Sequence, residues 1–424
     1  MTTGLLTDQY ELTMLSSFVA DGTADHEAVF ELFARRLPEG RRFGLLAGLG
    51  RLLDALPLFT FSAEEKDWLV SVGALTDEAA EWLGEFRFAG DIWSYREGDL
   101  FWPHSPVLTV SGRLGECILL ETLALSVLNH DTAIASAAAR MVIAAGDRPL
   151  IEMGSRRTHE EAAVAVARAA WLAGFSGTSN LAAGHRYAVP TIGTAAHAFT
   201  LAHRIERDAF AAQVRALGVG TTLLVDTYDI EDGIRTAVEV AGTGLGAIRI
   251  DSGDLALESR RARTLLDELG ATGTRIIVTS DLDEYVIAAL ADAPIDGYGV
   301  GTRVATGSGH PTAGMVYKLV AVADEPGGAL RPVAKSSESK SSVGGRKTAY
   351  RYPDGREHFS LDGRIPEGAT ALQEHVVRAG EIADRPTLNE TRDLVAHTLA
   401  ALPPQARRIS EGRPTRTATE EDPS

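Results

Sequence analysis

Thr222-Leu223-Leu224-Val225-Asp226-Thr227-Tyr228-Asp229, Ala247-Ile248-Arg249-Ile250-Asp251-Ser252-Gly253-Asp254 and Arg275-Ile276-Ile277-Val278-Thr279-Ser280-Asp281 share one design. In each, a short and nearly unbroken apolar run ends in small, polar and acidic residues. Unbroken apolar runs predict strands buried on both faces, the situation of a parallel sheet covered by helices. The same pattern extends outward to Pro149-Leu150-Ile151-Glu152, Ala173 to Ser176, Val189 to Gly193 and Ile295 to Gly299, with Met315 to Val322 as a last strand. Helical segments such as Glu161 to Trp171, Ala256 to Leu269 and Glu284 to Ala291 separate most of them. About seven strand–helix units favour closure into a barrel over an open sheet.

The flanks are less regular. Residues 1–114 read as a mixed α+β domain: a helix over Leu5 to Ala20, a strand over Ala28 to Phe33, a second helix over Phe43 to Leu56 and an acidic helix over Ser62 to Leu83. Two helices, Glu116 to Asn129 and Thr132 to Ala145, lead into a barrel domain at 115–325. Residues 326–406 form a basic segment and helices expected to pack back on the N-terminal domain. The polar stretch 407–424, rich in Pro, Thr and Glu, is expected to lack fixed structure.

The 424 residues carry a formal charge of −17, which argues against broad binding of nucleic acid or an anionic membrane surface. Cys117 is the only cysteine, so no internal disulfide forms and a reducing compartment is the default. With no signal-peptide pattern at the N-terminus, a cytoplasmic location is expected. Basic residues are unevenly used. Only five lysines occur, Lys66, Lys318, Lys335, Lys340 and Lys347, and residues 331–358 hold seven basic side chains against three acidic ones.

Active sites of parallel barrels form at the carboxyl ends of the strands. Those ends hold Arg156-Arg157, Gly177-Thr178-Ser179-Asn180, Gly193-Thr194-Ala195-Ala196-His197, the three acidic turns quoted first, and Gly299-Val300-Gly301-Thr302. Glycine turns at helix starts offer N–H groups to phosphate, carboxylates hold ribose hydroxyls or Mg²⁺, and arginine grips an anion with two prongs. Each motif alone is an ordinary capped turn, but their shared placement points to a phosphorylated sugar. Among the eleven histidines, His197 stands out because a strand end aims it at the rim. No His-x-x-x-His or Cys-x-x-Cys spacing suggests zinc. Tyr10, in Thr7-Asp8-Gln9-Tyr10-Glu11-Leu12-Thr13-Met14, lies outside the barrel, and packing is the ordinary role of such a residue.

These strings, with Gly174-Phe175-Ser176-Gly177-Thr178-Ser179-Asn180, Gly314-Met315-Val316-Tyr317-Lys318-Leu319 and Lys340-Ser341-Ser342-Val343-Gly344-Gly345-Arg346-Lys347, run in order from about residue 5 to about 352 and resemble nicotinate phosphoribosyltransferase. The resemblance implies an α/β fold, the irregular (β/α) barrel of type II phosphoribosyltransferases with an N-terminal α+β domain, in chains that pair as a homodimer with shared active sites. It implies an ATP-dependent ligase reaction of NAD salvage: nicotinate and phosphoribosyl pyrophosphate (PRPP) give nicotinate mononucleotide and pyrophosphate, with Mg²⁺ carried by PRPP. The resemblance makes His197 the phosphorylated histidine and has Tyr10 of the partner chain stack on the pyridine ring opposite Phe175. Arg249, Thr194 and Arg156 or Arg157 would meet the carboxylate, and Asp251 and Asp281 the ribose hydroxyls. Gly301 and Thr302 would take the 5′-phosphate, Asp226 the Mg²⁺–pyrophosphate region, and Lys318, Lys340 and Lys347 further phosphate charge. Two strings depart from the pattern: Met153-Gly154-Ser155-Arg156-Arg157 stands where a phenylalanine often leads, and Ala198 follows His197 where a serine is common. The competing readings are a nicotinamide phosphoribosyltransferase, a non-catalytic nucleotide-binding paralogue, and a Schiff-base barrel enzyme, for which Lys318 would be the only strand-end lysine.

Overall fold

A computed structural model describes residues 2–84, 86–335 and 343–421, and Lys340 lies outside them. The chain forms two compact units, 1–133 with 312–406 and 411–424, and 134–311 with 407–410. The division falls inside one helix, Leu114–Ala145, where two helices were expected. Nothing between them breaks the helix: His130-Asp131 contains neither Gly nor Pro, and the Asp131 carboxylate accepts from Arg51 Nη1 at 2.7 Å instead of capping a new start.

The first unit centres on a seven-stranded sheet in the order 330–332, 315–323, 27–34, 108–113, 91–94, 374–378, 381–382. Its third strand, Glu27–Ala34, is buried along nearly its whole length. The last strand of the expected barrel belongs here. Met315–Ala323 pairs antiparallel with Glu27–Ala34, bringing Lys318 opposite Glu31 and Tyr317 opposite Leu32. An apolar run does not name its own sheet; here Asn129 anchors the strand, its Oδ1 accepting from Met315 N at 2.8 Å and its Nδ2 donating to Met315 O at 3.3 Å. Lys318 is therefore not at a barrel strand end, and the Schiff-base reading loses its residue. The helix expected over Phe43 to Leu56 is shortened to Leu49–Ala55, behind a strand at Gly44–Leu45. Gly44 lies against the Phe101 ring, where a Cβ would come within 2.2 Å. The tail is not structureless either: Thr419–Glu420 pairs in parallel with Glu357–Ser360, and Ala418 is buried.

In the second unit, six parallel strands follow the order Gly177–Thr178, Leu150–Glu152, Gly297–Val300, Arg275–Ser280, Ala247–Ile250, Thr222–Leu224. A bridge from Thr178 to Thr191 extends one edge. Among the described residues no pairing joins Thr222–Leu224 to Thr191, so the curled sheet is an irregular barrel with an open seam. The helices after the strands start on side-chain caps. Asn180, Asp229, Asp254 and Asp283 each accept a backbone N–H from the first turn of the helix that follows. The second acid of each acidic turn is thus spent on helix initiation, and the first acid, Asp226, Asp251 or Asp281, is left at the strand end.

Candidate active site

Asp226 follows the strand Thr222–Leu224 and its side chain is fully buried, which would be costly for a carboxylate left unpaired. Its Oδ1 lies 3.1 Å from His197 Nε2. Its Oδ2 accepts from Asp251 N at 2.8 Å and Ser252 Oγ at 2.7 Å. His197 opens the short helix His197–Leu201 and keeps 39% of its side chain exposed. The pair is therefore a held imidazole with one face open. With Nε2–H donating to Asp226, the lone pair resides on Nδ1.

On the neighbouring strand, Arg249 and Asp251 are two residues apart and so share one face. Arg249 Nη1 donates to Thr194 Oγ1 and, at 3.2 Å, to Ala195 O. Its Nε is buried without a partner. Burial disfavours the guanidinium charge, the carboxylates of Asp251 and Asp226 restore it, and the nearby charge of Arg156 opposes it again. A desolvated arginine with an unmet N–H and a second arginine close by suits an anion with planar oxygens. Asp251 accepts from Thr279 Oγ1. Asp281 is exposed and follows Ser280, whose φ of +145° is strained for a residue with a Cβ.

On the other side of the rim, buried Glu152 accepts from Gly154 N and Thr178 Oγ1 and so shapes the turn that carries exposed Arg156 and Arg157. Gly301 and Thr302, both partly exposed, open the short helix Thr302–Ala305. Gly299 allows close strand approach, since a Cβ there would meet Thr279 Cγ2 at 2.5 Å and Met153 Sδ at 2.8 Å.

The structure thus brings His197, Asp226, Asp251, Thr194, Arg249 and Arg156 together. Phe175 it does not bring to the rim: the ring is completely buried, with no face for a ligand. Met153, which follows the strand Leu150–Glu152, is partly exposed. The lysines are placed in the antiparallel unit. Lys318 Nζ lies 3.7 Å from Glu121 Oε1. Lys347 donates all three protons internally, to Glu31 Oε2 at 2.6 Å, Val343 O at 2.8 Å and Gly345 O at 3.3 Å. Neighbouring cations are also committed: Arg331 to Asp324, Arg351 to Glu357 and Arg356 to Asp354. Among the described residues, four of the seven basic side chains of 331–358, Arg331, Lys347, Arg351 and Arg356, are thus paired within their own unit.

Sequence reasoning missed Ser252, although it lies in the quoted Asp-Ser-Gly-Asp turn, and Glu206. Burial, Asp232 and Asp226 raise the Glu206 carboxyl to about 7, and its Oε1 is buried without a partner. Nothing around Ile205-Glu206-Arg207 signals this in the sequence.

Comparison with known proteins agrees with the geometry. Residues 5–129 match the family model of the nicotinate phosphoribosyltransferase N-terminal domain. The chain is 55% identical to a nicotinate phosphoribosyltransferase of Mycobacterium tuberculosis, over 97% of this chain and 94% of that one. It is 39% identical to the Bacillus subtilis enzyme, over 84% and 74% respectively. The crystal structure of human nicotinic acid phosphoribosyltransferase superposes with a TM-score of 0.84 at 25% identity, covering 98% of each chain. The chain belongs to the nicotinate phosphoribosyltransferase family.

Proposed function

We propose that this protein forms nicotinate mononucleotide and pyrophosphate from nicotinate and PRPP, and that it couples this to ATP hydrolysis through a phosphohistidine at His197. The observation that carries the reading is the His197–Asp226 pair on the same rim as Arg249 and Thr194. Asp226 accepts from Nε2, so Nδ1 attacks the γ-phosphorus of ATP and ADP leaves; water later releases the phosphoryl group as inorganic phosphate.

In the transfer itself, the bond from ribose C1′ to the pyrophosphate oxygen breaks, positive character develops at C1′, and the pyridine nitrogen forms the new bond. No covalent nucleophile from the protein is needed, so positioning and electrostatics carry the step. Arg249, with Thr194 and Arg156, orients the nicotinate carboxylate. Asp251 and Asp281 take ribose hydroxyls, and Gly301 and Thr302 the 5′-phosphate. Tyr10 of a second copy supplies a face for the pyridine ring in a homodimer. Mg²⁺ carried by the pyrophosphate of PRPP would offset its charge. Asp226 does not suit a direct ligand role, because its two oxygens already serve His197, Asp251 and Ser252.

The test is pyrophosphate release from PRPP, with nicotinate or nicotinamide and with or without ATP. Wild type is expected to prefer nicotinate and to respond to ATP. His197→Ala is expected to lose the ATP response and all transfer of label from γ-labelled ATP to the protein. Label that persists in the variant, or a preference for nicotinamide, would overturn the reading.

A further inference from the structure

The turn after the strand Ala247–Ile250 is fastened to the neighbouring strand by a side chain. Backbone pairing between Thr222–Leu224 and Ala247–Ile250 reaches as far as Val225, whose N–H donates to Arg249 O at 3.2 Å. There the backbone ladder stops. Val225 O lies against Gly233 of the helix Ile230–Ala241, so close that a Cβ at 233 would clash with it. The next donor along, Asp251 N, goes instead to Asp226 Oδ2 at 2.8 Å. Ser252 Oγ donates to the same oxygen at 2.7 Å. Beyond it the chain turns away: Gly253 takes a φ of +83°, a conformation that suits glycine, and Asp254 caps the helix Leu255–Glu268.

Ser252 is exposed, and water satisfies an exposed hydroxyl at no cost. Its hydroxyl nevertheless points back at a carboxylate whose side chain is fully buried. A hydrogen bond to an ionised acceptor is roughly twice as strong as a neutral one. With Asp251 N alone on Oδ2, the carboxylate keeps a hinge at that single contact. Two donors on Oδ2 fix its plane and so fix where Oδ1 lies. Oδ1 is the atom that meets His197 Nε2 at 3.1 Å. The imidazole keeps 39% of its side chain exposed, so this contact sets the direction of the ring.

We propose that Ser252 is a positioning residue for phosphoryl transfer to His197: its hydroxyl, with Asp251 N, pins Oδ2 of Asp226, so that Oδ1 holds the ring with Nδ1 turned outwards. The inference rests on the reading that His197 takes the γ-phosphoryl group of ATP. In that step the bond from Nδ1 to phosphorus forms, the bond from phosphorus to the β,γ-bridging oxygen breaks, and its electron pair leaves with ADP. Nε2–H stays in its hydrogen bond, and Asp226 offsets the positive charge that the ring gains. Ser252 touches no reacting atom and acts only through Asp226.

The experiment follows the rate of label incorporation from γ-labelled ATP, and KM for nicotinate, in full-length wild type, Ser252→Ala and Ser252→Thr. Ser252→Ala is expected to slow labelling roughly tenfold, for one lost hydrogen bond to a charged group. Its KM for nicotinate is expected to stay within about twofold of wild type, since Arg249 and Thr194 are untouched. Ser252→Thr, which keeps the hydroxyl at an exposed position, is expected to label at close to the wild-type rate. Labelling of Ser252→Ala at the wild-type rate overturns the proposal and leaves the phosphohistidine standing. Equal losses in Ser252→Ala and Ser252→Thr, or a KM for nicotinate that rises as labelling falls, give Ser252 a structural role and overturn the proposal as well. No label on wild type overturns the phosphohistidine reading itself, and this inference with it. If Ser252→Ala fails to fold, Ser252→Cys, whose thiol is a weak donor, takes its place.

Discussion

In the parallel unit, His197 keeps 39% of its side chain exposed above a fully buried Asp226; in the antiparallel unit, Lys347 and Glu31 are 7% and 1% exposed. Both are pairs between a nitrogen donor and a buried carboxylate from separate stretches of the sequence, but their remaining valences differ. Lys347 has no proton left to give and serves the fold, whereas His197 retains a free ring nitrogen and Arg249 an unmet N–H. A charged group becomes available for chemistry when the surrounding structure satisfies part of it and stops. A strand end achieves this because the chain leaves the sheet there and the backbone turns away. The middle of an antiparallel sheet, enclosed by neighbours, does not.

The sharpest way to break the contrast is to open the closed pair. Lys347→Met leaves Glu31 buried and uncompensated, and is expected to cost about 3–5 kcal/mol in denaturant unfolding. A cost below about 1 kcal/mol would show that the pair is not the structural element described. Next in size, Arg249→Lys keeps the charge at the rim but loses the planar fork. It is expected to raise KM for nicotinate about ten- to a hundredfold, with little change in unfolding free energy. A loss of stability with unchanged KM would move Arg249 into the structural class.

The smallest effect concerns Glu11, whose carboxyl is raised from 4.5 to about 8, chiefly by burial. The folded state holds this proton more tightly than the unfolded chain. The stabilisation is therefore complete below the unfolded value and is lost as pH rises towards about 8. Glu11→Gln removes that titration, so its melting temperature is expected to fall less than that of wild type between about pH 5 and pH 8. Parallel curves for the two proteins would show that Glu11 does not titrate in this window.

Much of the parallel unit was legible because a doubly covered strand must be apolar throughout and its end must turn polar. Asp226, Asp251 and His197 stand out for that reason, and the barrel was read from the same runs. The partner of His197 was not legible, since Asp226 lies 29 residues further on and only the curl of the sheet brings them together. Met315–Ala323 misled because an apolar run records burial but not direction or neighbour. Phe175 misled because an aromatic residue beside a strand end serves the core equally well. The partner of Lys347 was not legible either. Composition counts charges but not their partners, and Glu31 lies more than three hundred residues from Lys347.

The open seam of the barrel has a mechanical side. Between the bridge at Thr191 and the helix start at His197, residues 192–196 belong to no strand, and a Cβ at Gly193 would meet no atom within 4 Å. The phosphoryl group proposed for His197 would add bulk and up to two negative charges beside a buried carboxylate. In a closed barrel that load would press on a paired strand and be resisted by the whole ring of hydrogen bonds. Here it would fall on a span outside the sheet that is tied by the side chain of Arg249 to Thr194 and Ala195 and not by a ladder of strand hydrogen bonds.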